Sequence, residues 1–152
     1  MDKDKLAVVK QYPEWLNQFI SVYQKLSTNN LDLLDEIYAQ EVTFIDPIHE
    51  IKGLSNLHDY FDGLYKNLSS CTFTINDVIV NEQQAAVYWE MNYQHAKLNK
   101  GEIVSVQGAS KLIAKDNKII YHRDFLDLGA MLYEQLPLIG KLIHWIKVKA
   151  AQ

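Results

Sequence analysis

The amino-acid sequence predicts an α+β protein, on three observations. Apolar residues recur at helical spacing over residues 14–68, and residues 71–127 turn to Val, Ile, Thr, Tyr and Trp in segments broken by turn residues. Helical patterning then returns over residues 128–148. Helices first, sheet second and helix last is the order that sets helices against one face of an antiparallel sheet.

The first helix is read from Trp15, Leu16, Phe19, Ile20, Tyr23 and Leu26, with Pro13 where a first turn tolerates it. Asn29 and Asn30 break that pattern, and Asn30 is the expected cap of a short second helix whose Leu33, Leu34, Ile37 and Tyr38 share a face. Residues 42–45 follow as a short strand and Gly53 as a turn. Ser55 is the expected cap of a third helix carrying Leu57, Tyr60, Phe61, Leu64 and Leu68. Breaks near residues 81–83, 99–101 and 116–117 divide the next region into a meander of four long strands. The closing helix is expected to be interrupted at Pro137 and Gly140.

Length and composition bound the rest. With 152 residues, 48% hydrophobic and 22% charged, the chain suits one domain over residues 1–152, with a core of about 12–129 and a helical segment of about 130–150. A net charge of −4 argues against a nucleic-acid partner. The single Cys71 precludes an internal disulfide, and the opening MDKDKLAVVKQYPEW lacks a leader pattern, so a cytoplasmic location is expected. No run reaches the roughly 18 apolar residues of a spanning helix.

The order of elements, the stretch YAQEVTFIDP, the later WEM and the closing YHRDFLDLG resemble SnoaL-like proteins of the nuclear transport factor two-like superfamily. The resemblance runs from about Tyr12 to Gly129. It implies a cone of curved, mixed or antiparallel sheet wrapped around the N-terminal helices and a pocket, here with a C-terminal helical extension. The superfamily holds isomerases, cyclases, dehydratases, epoxide hydrolases and many non-enzymes, so fold alone does not fix activity. Ketosteroid isomerase, one such relative, has its general base where this chain has Asp46. Its later acidic donor falls on Ala109, and its tyrosine falls near Val22, one position from Tyr23, so steroid isomerisation is not expected.

Pro47 pushes Asp46 into an extended conformation and so aims its side chain. Strand alternation sets His122, Asp124 and Leu126 on one face and Tyr121, Arg123 and Phe125 on the other. The resemblance turns the first set toward the pocket. The expected catalytic set is Asp46 as base, His122 as proton donor or shuttle, and Asp124 as orienter or second acid. Tyr23, Phe19, Trp89, Met91, Phe61 and Leu126 are the expected ligand-binding residues. Each has a plainer role open to it: Asp46 as a turn acceptor, His122 and Asp124 as a satisfied core pair, and the apolar residues as ordinary packing.

No metal and no cofactor are expected, because Asp46, His49, His122 and Asp124 lack tight ligand spacing, and neither a phosphate loop nor a serine elbow occurs. Arg123, pointing outward, leaves epoxide hydrolysis disfavoured. The expected function is binding of a small, mainly apolar organic molecule, with Asp-based proton transfer of isomerase, cyclase or dehydratase type. The alternative is a non-enzymatic dimerisation or ligand-binding module, and a homodimer is expected in either case. The lysine-flanked apolar tail suits a lid, on its own sheet or across a dimer, or contact with an anionic membrane surface; the lid is preferred.

Overall fold

The structure, a computed structural model, describes residues 12–151, so the leader reading of residues 1–11 lies outside it. Helix α1 (Glu14–Lys25) buries Trp15, Leu16, Phe19, Val22 and Tyr23 along the face its spacing predicts. The Trp15 indole donates to the Glu82 carbonyl at 3.0 Å, tying the helix to a strand turn far along the chain. After a 3-10 turn at Leu31–Leu33 comes the single-turn α2 (Leu34–Ile37).

Two details differ from the sequence reading here. Asn30 does not cap with its side chain; its Oδ1 accepts from Ser27 N and its Nδ2 donates to Lys25 O, closing a loop instead. Tyr38 does not complete the α2 face but opens strand β1 (Tyr38–Ile45), which starts four residues before the expected 42–45 because tertiary pairing extends it. The three-residue β2 (Glu50–Lys52) returns antiparallel to β1 and was not expected.

Helix α3 (Leu54–Lys66) packs Leu57, Phe61 and Tyr65 inward. Its cap position is Gly53 at φ 85°, a left-handed conformation suited to glycine, whereas Ser55 lies within the first turn. Four long strands follow, β3 (Ser70–Asn81), β4 (Gln84–Gln94), β5 (Val104–Lys115) and β6 (Lys118–Leu126), as the turn signals predict. Asp116 and Asn117, at φ 51° and 61°, make the tight β5–β6 turn with two positive φ angles.

The sheet order is β2-β1-β6-β5-β4-β3. Neighbours run antiparallel except β1 and β6, which lie parallel with Phe44 opposite His122. Bulges curve it: Asn76 is the extra residue between Ile75 and Asp77 in β3, and Ile120 between Ile119 and Tyr121 in β6. The β6 bulge lets Ile119 and His122 both face inward, and the sheet closes around α1 and α3. The result is the expected α+β cone with a C-terminal helical extension.

That extension is α4 (Leu128–Met131), a 3-10 turn at Tyr133–Gln135 and α5 (Pro137–Ala150). Pro137 starts α5 rather than interrupting a helix, since a first-turn proline loses no helical hydrogen bond. Gly140 lies inside α5, where a Cβ would come within 2.3 Å of the Glu134 carbonyl oxygen. No α5 residue is buried.

Candidate functional site

The cone encloses a cavity of about 350 Å³, in the range that holds small organic molecules. Its walls come from α1 through Tyr23, α3 through Tyr60, Phe61 and Tyr65, the sheet through Phe44, Phe73, Trp89, Met91 and Leu126, and the α4 end through Met131 and Leu132. Most of this surface is apolar. The polar groups are few, and most are engaged by protein partners.

At one pole, Pro47 holds Asp46 at the end of β1 as its sequence predicts. Asp46 Oδ1 accepts the backbone N–H groups of Ile48 and His49, each at 2.7 Å, and Oδ2 accepts the Tyr60 hydroxyl. Asp46 therefore closes a turn and lines the cavity at once. Three donors leave about one of the four lone-pair sites of a carboxylate open. Burial, then the hydrogen bond to Asp46, raises the Tyr60 phenol far above its ordinary range, so it stays a donor.

A buried chain of hydrogen bonds makes the other pole. Tyr23 Oη meets Tyr38 Oη at 2.6 Å, Tyr38 Oη meets His122 Nδ1 at 2.6 Å, and His122 Nε2 meets Asp124 Oδ1 at 2.7 Å. From the far side the Trp89 indole donates to Ser110 Oγ at 2.8 Å, and Ser110 donates to the same Asp124 Oδ1 at 2.5 Å. Indole N–H is only a donor, so the Ser110 proton must go to Asp124. With the His122 proton on Nε2, Nδ1 accepts from Tyr38, and Tyr38 accepts from Tyr23. Every donor then points toward Asp124, whose Oδ2 has no protein partner among the described residues. Burial lifts both Tyr23 and Tyr38 well above the usual tyrosine range, with the Asp124 charge adding to each.

The Tyr65 hydroxyl is also weakly held. It is buried and has no hydrogen-bond partner of normal geometry; its polar neighbour is the Cys71 thiol. Both residues line the cavity. Burial pushes the Cys71 thiol up to about 11, which keeps it protonated and unreactive at neutral pH.

Of the residues expected from sequence, Asp46, Asp124, Tyr23, Trp89, Met91, Phe61 and Leu126 all lie on this cavity. Two are elsewhere. Phe19 sits behind Tyr23, ring centroids 4.3 Å apart, and is 1% exposed, so it supports the wall without forming it. His122 is 0% exposed and reaches the cavity only through Asp124. Tyr38, Ser110, Tyr60 and Tyr65 were not singled out as site residues. The alternation that located Asp124 also marks Ser110, which pairs with it across the β5–β6 ladder. Tyr38 carried no local signal, because its partner is 84 positions away. Among the described residues, no group of three or more His, Cys, Asp or Glu is placed to hold a metal ion.

Comparison with known proteins gives this geometry its family. The SnoaL-like domain family matches residues 19–122, more than half of the chain and most of the cone. The chain belongs to the SnoaL-like domain family.

No curated protein matches the sequence. Solved structures of similar shape include an NTF2-like protein of unknown function from Burkholderia pseudomallei, 9% identical over 80% of this chain and 96% of that one, with a TM-score of 0.71. A hypothetical protein with a ketosteroid isomerase-like fold from Catenulispora acidiphila, in complex with trimethylamine, is 15% identical over 84% and 96%, with a TM-score of 0.70. TerC co-crystallised with polyporic acid is 10% identical over 77% and 94%, with a TM-score of 0.68. At such identities the likeness is one of fold. The SnoaL-like chain described here is thus a pocket protein whose apolar cavity has the size and lining for a small apolar molecule.

Proposed function

We propose that this SnoaL-like protein binds a small, mainly apolar organic molecule carrying a carbonyl or hydroxyl group, and that Asp124 exchanges a proton with it. The observation that carries this reading is the open Oδ2 of Asp124, on an apolar wall, at the end of a hydrogen-bond chain that fixes the rest of the carboxylate. A carboxylate held by donors on one oxygen and presenting the other is pre-positioned as a general base. The Tyr65 hydroxyl supplies the donor that a ligand oxygen requires.

In the simplest step Asp124 Oδ2 takes a proton from carbon next to a carbonyl. The C–H electron pair moves into the enolate, and Tyr65 hydrogen-bonds the enolate oxygen. Where a neighbouring carbon–carbon double bond extends it to a dienolate, return of the proton at the far carbon shifts that double bond and completes an isomerisation. His122 acts through Asp124 as a positioning residue. A second proton on its ring would reverse the Tyr38 and Tyr23 hydroxyls, turning Tyr23 toward the cavity. Asp46, with most of its lone pairs occupied, is the second carboxylate at the opposite pole. The trimethylamine and polyporic acid complexes of proteins with this fold support a ligand-holding role for the cavity.

A second reading has its own support. Tyr88 and Phe125 are 42% and 50% exposed on the outer sheet face, which suits pairing of two copies into a binding module without chemistry. Native mass spectra of protein purified gently from its own host, recorded before and after denaturation, test the proposal. A discrete released mass that Asp124→Asn retains unprocessed supports binding with chemistry. A dimer that releases nothing and has no activity on small ketones returns the weight to the binding module.

A further inference from the structure

Helix α5 offers a surface that the cavity does not use. Leu138, Leu142, Trp145 and Ile146 recur on one face at helical spacing and are 82%, 56%, 58% and 50% exposed. The stripe covers neither the cavity, whose lining contains no α5 residue, nor the sheet. Of the C-terminal segment, Met131 and Leu132 line the cavity and α5 itself does not. The helix is nonetheless fixed in direction. Gly140 lets it close onto the Glu134 carbonyl, and Lys147 pairs with Glu134 and lies 4.0 Å from Asp127, so the Lys147 side faces the body and the stripe faces away.

Charge says what the stripe meets. Residues 136–152 contain Lys141, Lys147 and Lys149 and no acid, in a chain whose net charge is −4. Lys141 and Lys149 make no ion pair among the described residues. A second copy packed α5 against α5 about a two-fold axis would set these lysines against an equally acid-free helix. The 14-residue helix, about 21 Å long, also offers on one face too little area for the roughly 800 Å² per partner of a stable dimer. An anionic bilayer answers both features, taking the apolar side chains below the headgroups and the lysines among them. Trp145 suits that boundary, with its ring in the apolar layer and its N–H at the polar edge. No described helix is long and apolar enough to cross a membrane, so the helix would lie in the surface.

We propose that α5 docks the protein onto anionic lipid bilayers through Leu138, Leu142, Trp145 and Ile146, with Lys141 and Lys149 among the headgroups. This docking is independent of any chemistry in the cavity. It does bring Met131 and Leu132, part of the cavity wall, next to the lipid surface.

The test is co-sedimentation of the full chain with vesicles of phosphatidylcholine alone and of phosphatidylcholine mixed equally with phosphatidylglycerol. Binding to the mixed vesicles only is expected, weakened several-fold by added salt and about tenfold by joint Lys141→Gln and Lys149→Gln substitution. Bromine-labelled acyl chains should quench Trp145, because Trp15 and Trp89 are buried. The triple variant Leu138→Ser, Leu142→Ser, Trp145→Ser should lose binding and keep its circular dichroism, since each of those residues is more than half exposed. No co-sedimentation with the mixed vesicles overturns the proposal, as does unchanged binding by the triple variant. A lipid-free dimer that the triple variant converts to monomer, without vesicle binding, also overturns it and assigns the stripe to a second copy.

Discussion

The indole of Trp89 lies against Gly108 on the neighbouring strand, so close that a Cβ at Gly108 would come within 2.3 Å of the ring. That contact sets the ring at an angle from which its N–H reaches Ser110. Gly108→Ala must therefore displace the indole or the strand, costing about 1–3 kcal/mol as overpacking does. Urea denaturation followed by tryptophan fluorescence measures it, and the folded-state spectrum should change as the Trp89–Ser110 bond is lost.

Tyr65 predicts the opposite sign. Its hydroxyl is buried with only the weak Cys71 thiol beside it, so Tyr65→Phe removes a poorly met hydrogen bond and loses little. The ligand-free variant should be as stable as the parent or more stable by up to about 1 kcal/mol, while binding of an oxygen-bearing ligand weakens. Thermal unfolding with and without 9-fluorenone, compared with fluorene, separates the two effects. A loss of stability in the ligand-free variant would mean that the hydroxyl has a structural partner.

Asp46 combines a turn role with a cavity role, and two substitutions divide them. Asp46→Ala leaves the N–H groups of Ile48 and His49 without their acceptor and should cost about 1–3 kcal/mol. Asp46→Asn keeps an acceptor oxygen for both and should stay within about 1 kcal/mol of the parent by chemical denaturation. If the Asn variant also binds and processes ligand normally, Asp46 belongs to the turn alone.

Cys71 gives a pH dependence whose sign follows from burial. Its thiol is raised from 9.0 to about 11, so the folded state holds a proton that the unfolded chain releases earlier. The stability it contributes is full below about 9 and is lost as pH rises toward about 11, a decrease of roughly 1–2 kcal/mol for a partly exposed group. Stability curves of the parent and Cys71→Ser between those limits separate it from the tyrosines other than Tyr65, whose raised phenol depends in part on Cys71. Alkylation by iodoacetamide should accelerate over the same range.

His122 is the most tightly committed side chain, bonded through both ring nitrogens at 0% exposure. His122→Leu should cost several kcal/mol, because it leaves Tyr38 and Asp124 short of partners in the core. The matching variant Tyr38→Phe removes the two bonds to Tyr23 and His122 but leaves the His122–Asp124 bond in place, and should cost about 1–3 kcal/mol.

These cases show what the sequence made legible. Period-two alternation put His122 and Asp124 on one face and the proline aimed Asp46, because both signals act within a few residues, while the resemblance implied that they face the pocket. The α+β order was equally local. Tyr38 was misread because Leu33, Leu34 and Ile37 lead into it at helical spacing, whereas pairing with β6 draws it into a strand. Phe19 and His122 were expected at the ligand because inward-facing does not distinguish the wall from what lies behind it. Whether a hydroxyl such as that of Tyr65 finds a partner depends on distances that no spacing encodes.

The parallel seam between β1 and β6 also bears on when the protein becomes competent. During synthesis Tyr38 and Phe44 leave the ribosome long before Lys118–Leu126, and the Tyr38–His122 bond spans 84 positions. The helices and the β1–β2 hairpin can form early from contacts close in sequence. The seam must wait for the last strand, and closing so long a loop makes it a late step. A nascent chain halted before β6 would therefore have neither Asp124 nor the wall it completes. In such a chain, capture of a ligand would certify that translation had run through the final strand.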